Sequence, residues 1–193
     1  MEYFENKKDV DEYFKKLIEV IKGVKITNVF TLDNASYGVG REKIVYDIDS
    51  ELYILLENSK CIIISYLDAS LLGIEYRELN ENELKHYKEI RDKDLFNMTH
   101  EIHNPHTMQI CNIDSISFEY SSVIQIDVHG FSNEFETWRN SKEVILPSGG
   151  DYFDRIEFCL DNGNKICMCP EDAIFDGYLD FWVEGAKEEH KVL

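Results

Sequence analysis

The residues best suited to chemistry lie in one short stretch, His100-Glu101-Ile102-His103-Asn104-Pro105-His106, with Cys111 just beyond it. Imidazole nitrogen, carboxylate oxygen and thiolate sulfur are the donors that bind zinc. The spacing is not the His-Glu-x-x-His of zinc proteases, because the second His comes one residue early. His at i, i+3 and i+6 could share a helix face, but Pro105 disfavours a helix there. The stretch therefore reads as a polar loop, and no metal is expected in it. Cys167-Met168-Cys169 has no second pair at ligand spacing, and Cys-x-x-Cys occurs nowhere. Those thiols read as small core residues. Gly38-Val39-Gly40-Arg41 lacks the third glycine of a dinucleotide loop, and no nucleophile elbow is present. No catalytic residue and no cofactor are assigned, and the chain is read as a non-enzyme. A metal-dependent enzyme using His100, His103 and His106 is the competing reading.

A second grouping is aromatic and acidic. Phe135, Trp138, Tyr152, Phe153, Phe175, Tyr178, Phe181 and Trp182 are interleaved with Glu134, Glu136, Asp151, Asp154, Asp172, Asp176, Asp180 and Glu184. Protein interfaces combine aromatic anchors with a polar, charged rim. In a strand over 178–184, Tyr178, Asp180, Trp182 and Glu184 share one face and Leu179, Phe181 and Val183 the other. One face is expected in the core and the other as an exposed aromatic-acidic strip. The candidate partner-binding residues are Tyr178, Asp180, Trp182 and Glu184, with Asp172 and Asp176 upstream.

Charge says what such a surface would meet. The 193 residues include 20 Lys and Arg against 38 Asp and Glu, a net charge of −18. Residues 97–193 carry 18 acidic and 6 basic side chains, a net of −12. Binding a nucleic-acid backbone needs the opposite sign, and an anionic membrane surface is disfavoured for the same reason. A field this negative speeds the approach of a basic protein. The charged start, MEYFENKKDVDEYF, has no apolar export segment, and five Cys without framework spacing fit reduced thiols. The expected location is the cytoplasm.

The elements that must position these residues are legible from periodicity. Residues 9–22 read as an amphipathic helix with Val10, Phe14, Leu17, Ile18 and Ile21 on one side, capped by Asp9 or Asp11 and stopped at Gly23. Residues 80–94 read as a largely polar second helix with an Asn80 or Asn82 cap and a narrow stripe of Leu84, Tyr87 and Ile90. Strand signals fall at 25–32, 44–48, 71–77, 113–120, 123–128 and 178–184, with loops at 34–41 and 97–112. Hairpins are expected around Asn58-Ser59 and Asn162-Gly163. Taking Asn162-Gly163 as a two-residue loop pairs Cys159 with Ile166 and sets Cys159 on the face opposite Cys167 and Cys169. Both faces of that hairpin are apolar, so it should be central and covered on both sides. The expected fold is a single α+β domain over 1–193, with a mainly antiparallel sheet, two β-hairpins and flanking helices.

The hairpins look like copies. Leu56-Glu57-Asn58-Ser59 matches Leu160-Asp161-Asn162-Gly163, and Val29-Phe30-Thr31-Leu32-Asp33 resembles Val123-Ile124-Gln125-Ile126-Asp127. Each copy follows a helix, which suggests pseudo-repeats over about 9–79 and 80–185.

The repeated units LYILLENSKCIIISY and IEFCLDNGNKICMC, in acidic surroundings and without a catalytic motif, resemble the small bacterial immunity proteins of contact-dependent and other polymorphic toxin systems. The resemblance covers the two hairpins and transfers no functional residue. It implies a cytosolic protein that binds a cognate toxin domain, often a basic nuclease, and blocks its active site or substrate surface. An acidic nucleic-acid mimic or another acidic protein-binding module is the alternative.

Overall fold

Helix α1 (Lys7–Ile21) forms where the apolar spacing places it, and Val10, Phe14, Leu17 and Ile21 are its buried residues. Its cap is Asn6 rather than Asp9 or Asp11. Asn6 is extended, with φ −140° and ψ 146°, and its Oδ1 accepts from the Asp9 amide at 3.0 Å. Gly23, at φ +77°, turns the chain out of the helix. The computed structural model describes residues 1–32, 35–39, 44–48, 51–68, 71–91, 121–130, 153–171 and 178–185. Among these the strands are β1 (Glu2–Phe4), β2 (Ile26–Phe30), β3 (Ala35–Val39), β4 (Ile44–Ile48), β5 (Glu51–Leu56), β6 (Lys60–Asp68), β7 (Leu71–Glu78), β8 (Val123–Gly130), β9 (Phe153–Leu160), β10 (Lys165–Glu171) and β11 (Tyr178–Glu184). Helix α2 spans Glu81–Arg91. The His100–His106 stretch, Cys111 and the strand expected at 113–120 lie outside the described residues.

The strands make two antiparallel sheets, one in the order β1-β7-β6-β5-β2 and one in the order β3-β4-β11-β10-β9-β8. The fold is α+β with both hairpins in place. The single expected sheet is thus two, and segment 34–41, read as loop, contributes β3, which pairs along β4 from Ala35↔Ile48 to Val39↔Ile44. Leu52, Ile54, Leu56, Ile62, Ile64, Leu72 and Ile74 from the first sheet share one core with Ile156, Phe158, Leu160, Ile166, Met168, Leu179 and Phe181 from the second. Helix α1 joins that core, where the Phe14 ring meets Phe158 edge-on at 5.9 Å. The β3–β4 hairpin belongs to the first half of the chain but extends the second sheet by pairing β4 with β11. A cut near residue 79 therefore does not separate the sheets.

Two four-stranded units, β2-β5-β6-β7 and β8-β9-β10-β11, share strand order, turn length and an outer-strand bulge. Each hairpin closes a three-residue loop. Ser59 N donates to Leu56 O at 3.0 Å, and Gly163 N to Leu160 O at 3.0 Å. Ser59 (φ +65°) and Gly163 (φ +87°) occupy the same left-handed position. The outer strands carry the same bulge, between Ile26 and Asn28 paired to Leu56/Leu55, and between Val123 and Gln125 paired to Leu160/Cys159. That register equates Ile26 with Val123, three residues away from the match that sequence similarity suggests. Lys25 and Ser122, equivalent positions, form an antiparallel bridge with each other. Each also accepts from the turn acid of its own unit, Glu57 N to Lys25 O at 2.8 Å and Asp161 N to Ser122 O at 3.0 Å.

The three-residue loop corrects the expected register of the second hairpin. Cys159 pairs with Lys165 and Phe158 with Ile166. One residue of slip exchanges the faces of one strand relative to the other. Ile156, Phe158 and Leu160 therefore point inward with Ile166 and Met168, while Cys159 shares the outer face with Cys167 and Cys169.

Candidate functional site

The outer faces of the two sheets are built from equivalent positions but opposite chemistry. On the first sheet, Phe30, Tyr53, Cys61 and Ile63 form a small second core, with Leu55, Leu79 and Tyr87 packed on it. Phe30 stacks on Tyr53 at 5.1 Å and meets the Tyr87 ring of α2 at 4.5 Å. Helix α2 is fastened by a reciprocal cap. Glu83 N donates to Asn80 Oδ1 at 3.0 Å, and Asn80 N to Glu83 Oε2 at 2.7 Å. Arg77 of β7 grips the same Glu83 carboxylate with two bonds, 2.6 and 2.7 Å. Its guanidinium holds the Glu83 carboxyl below the usual range. Burial pushes the Cys61 thiol up to about 12. The helix that reads as merely polar thus covers a sheet through Tyr87 and Glu83, while Leu84 faces outward at 40% exposure.

The outer face of the second sheet is polar and arranged in cross-strand rows. One row runs Gln125, Cys159, Lys165, Glu184, and the next runs Asp127, Glu157, Cys167, Trp182. His129 and Arg155 pair beyond them. Glu157 is the centre, a carboxylate only 3% exposed. Its Oε2 accepts from Lys165 Nζ at 2.6 Å, and its Oε1 pairs with Arg155 Nη2 at 2.6 Å. Burial opposes the Glu157 charge, but the Lys165 bond and the Arg155 and His129 fields outweigh it and hold its carboxyl below the usual range. Cys159 Sγ contacts Asp127 Oδ2 at 3.6 Å, and its thiol is raised by burial first and then by Asp127. Burial takes the Cys167 thiol to about 12. Cys61, Cys159, Cys167 and Cys169 are all free thiols. The upward shifts of Cys159 and Cys167 disfavour their thiolate forms.

The residues expected to bind a partner fall on and near this face. Strand β11 lies between β10 and β4, and its register places Tyr178, Asp180, Trp182 and Glu184 on the outer side. Trp182, expected to be exposed, is buried. Trp182 is 5% exposed, and its indole Nε1 donates to Glu184 Oε1 at 2.9 Å. An indole so placed is already desolvated and would add little new burial to a docking partner. Glu184 keeps 43% of its side chain exposed and lies 3.9 Å from Arg155 Nη1. Asp180 is half-buried and stands opposite Asp47 of β4 in the register. Asp172 and Asp176 lie outside the described residues. Sequence reasoning missed Asp127, His129, Arg155, Glu157 and Lys165, because their convergence depends on a register that the two-residue loop assumption had shifted. The signal that could have found them is the alternation of Arg155, Glu157 and Cys159 against the apolar Ile156, Phe158 and Leu160.

No helix among the described residues is long and apolar enough to cross a membrane. No family model, no curated protein and no solved structure matches the chain.

Proposed function

We propose that this protein is a cytoplasmic immunity protein, a binding module that neutralises a cognate toxin domain, basic and of the nuclease type, by covering it with an acidic surface. The carrying observation is the −18 net charge, with 18 acidic against 6 basic side chains in residues 97–193. Charge of this size raises the encounter rate with a basic partner and argues against nucleic acid as the direct ligand. The two-sheet scaffold supports the reading, because it holds Asp180 and Glu184 on the same face of one strand, on either side of Trp182. Bulk from Trp182 would act through Glu184, which its indole orients, rather than as an anchor in the partner.

Association kinetics with the basic domain encoded beside this gene test the proposal, at two salt concentrations and alongside growth rescue. The expected result is tight binding whose association rate falls with salt. Glu184→Lys and Asp180→Lys should each slow association several-fold while the fold is retained. No binding and no rescue would overturn the reading. Binding that ignores both substitutions and salt would remove this face from it.

A further inference from the structure

We propose that the free edge of β3 is a docking site for an extended strand of the basic partner, which joins the second sheet by backbone pairing. β3 ends the second sheet, and among the described residues no strand bonds its other side. A bare edge is a row of unpaired N–H and C=O groups, and proteins block such rows with charge, proline, bulges or covering elements. The other edges among the described residues are blocked in this way. β1 is three residues long and carries Glu2. β2 is bulged between Ile26 and Asn28, and its first residue is already engaged through Ile26 N to Ser121 O at 2.7 Å. β8 carries Asp127, is bulged at two places and packs against α1. β3, Ala-Ser-Tyr-Gly-Val, has no charge, no proline and no bulge. Its pairing with β4 runs in unbroken register from Ala35↔Ile48 to Val39↔Ile44.

Charge complementarity names the occupant. Register alternation puts Ser36 and Gly38 of β3 at outer-face positions and Ala35, Tyr37 and Val39 at inner ones. The outer row through Ser36 continues to Asp47 and Asp180, so two acidic positions are directly opposed on neighbouring strands. Like charges opposed across strands are unfavourable, and a cation laid along the row relieves them. A strand added beyond β3 supplies that cation from the position opposite Ser36. Two strand spacings set this position about 10 Å from the Asp47 backbone, a gap that a lysine or arginine and an aspartate span together. The alternate positions of the added strand fall in line with Ala35, Tyr37 and Val39 and are therefore apolar.

The occupant is thus a strand that alternates basic and apolar residues. A second copy of this chain is a poor fit, because it brings its own −18 charge. The partner's basic character rests on the function proposed above; the edge adds where that partner is held and by which bonds.

The probe is a short peptide alternating Lys and Val, added at about 1 mM to the full chain, with amide hydrogen exchange followed residue by residue. The expected result is exchange slowed about 10-fold at those amides of residues 35–39 that do not bond β4. The same peptide N-methylated at every backbone nitrogen keeps its charge but loses its donors, and should give no slowing. Ser36→Lys should weaken the peptide several-fold and Ser36→Glu tighten it several-fold, with circular dichroism checking the fold of each. No slowing at residues 35–39, or equal slowing by the N-methylated peptide, would overturn the proposal. So would self-association of the chain, seen by light scattering, that Ser36→Lys abolishes. Binding of the adjacent basic domain with growth rescue, both indifferent to Ser36→Lys, would keep the immunity reading and remove this edge from it. Peptide pairing with β3 in a chain that gives no rescue would keep the edge as a strand-docking site and remove the immunity reading.

Discussion

The two outer faces show how one hydrogen-bonded frame serves opposite ends. At equivalent positions the first sheet carries Phe30, Tyr53, Leu55 and Ile63, and the second carries Asp127, Glu157, Cys159 and Cys167. The first face spends its apolar area on α2, which then needs only a capping box and one Arg77–Glu83 pair for orientation. The second face keeps its charge by pairing it internally, with Arg155 and Lys165 on Glu157. Even the flanking charge is inverted, since Arg77 corresponds to Glu184 in the register. Backbone bonding thus sets the strand frame, while the side chains at the outward positions decide whether a face is apolar or charged. The frame tolerates this because the inward positions of both sheets remain apolar and carry the shared core.

The sharpest way to break the comparison is truncation at paired positions. Phe30→Ala removes a fully buried ring wedged between Tyr53 and Tyr87, and should cost about 3–5 kcal/mol in chemical denaturation. Asp127→Ala, its equivalent, should change stability by no more than about 0.5 kcal/mol. Equal costs would show that the faces are not built as described.

A middle-sized effect concerns the α2 attachment. Glu83 has a carboxyl lowered in the folded state, chiefly by its hydrogen bonds from Arg77. A depressed carboxyl contributes stability that is present above its unfolded pKa and lost as pH falls through the folded value. Stability should therefore decline on acidification below the ordinary Glu range. In Glu83→Gln that part of the decline should disappear, at a cost near neutral pH of about 1–2 kcal/mol. A Gln variant with an unchanged acid limb would assign the loss to other carboxylates.

The smallest effect compares the twin turns. Ser59 stands at φ +65° where its counterpart is Gly163 at φ +87°. Ser59→Gly should be neutral or stabilising by up to about 0.5 kcal/mol, and Gly163→Ala destabilising by about 1 kcal/mol, measured by thermal and denaturant midpoints. Opposite signs would mean that the turns differ in more than residue type.

The sequence by itself determined a good deal. The 3.6-residue spacing of Val10, Phe14, Leu17 and Ile21 is sufficient for α1, because only a helix puts those four on one side. The Asn-Ser and Asn-Gly turns fix where two hairpins reverse, and Tyr178 to Glu184 alternates cleanly enough to be a strand with the stated faces. Turn position did not determine register. Whether the loop holds two or three residues depends on the left-handed residue and on the bonds it closes, Gly163 N to Leu160 O and Leu160 N to Asn164 O. That single residue decided that Cys159 faces outward beside Asp127. Tertiary structure alone also decided that the apolar strands divide into two sheets, that Ala35–Val39 becomes an edge strand by pairing with β4, and that Trp182 is covered. These outcomes rest on contacts between residues far apart in the chain. Local alternation says which side chains share a face, but burial of that face depends on what the rest of the chain lays against it.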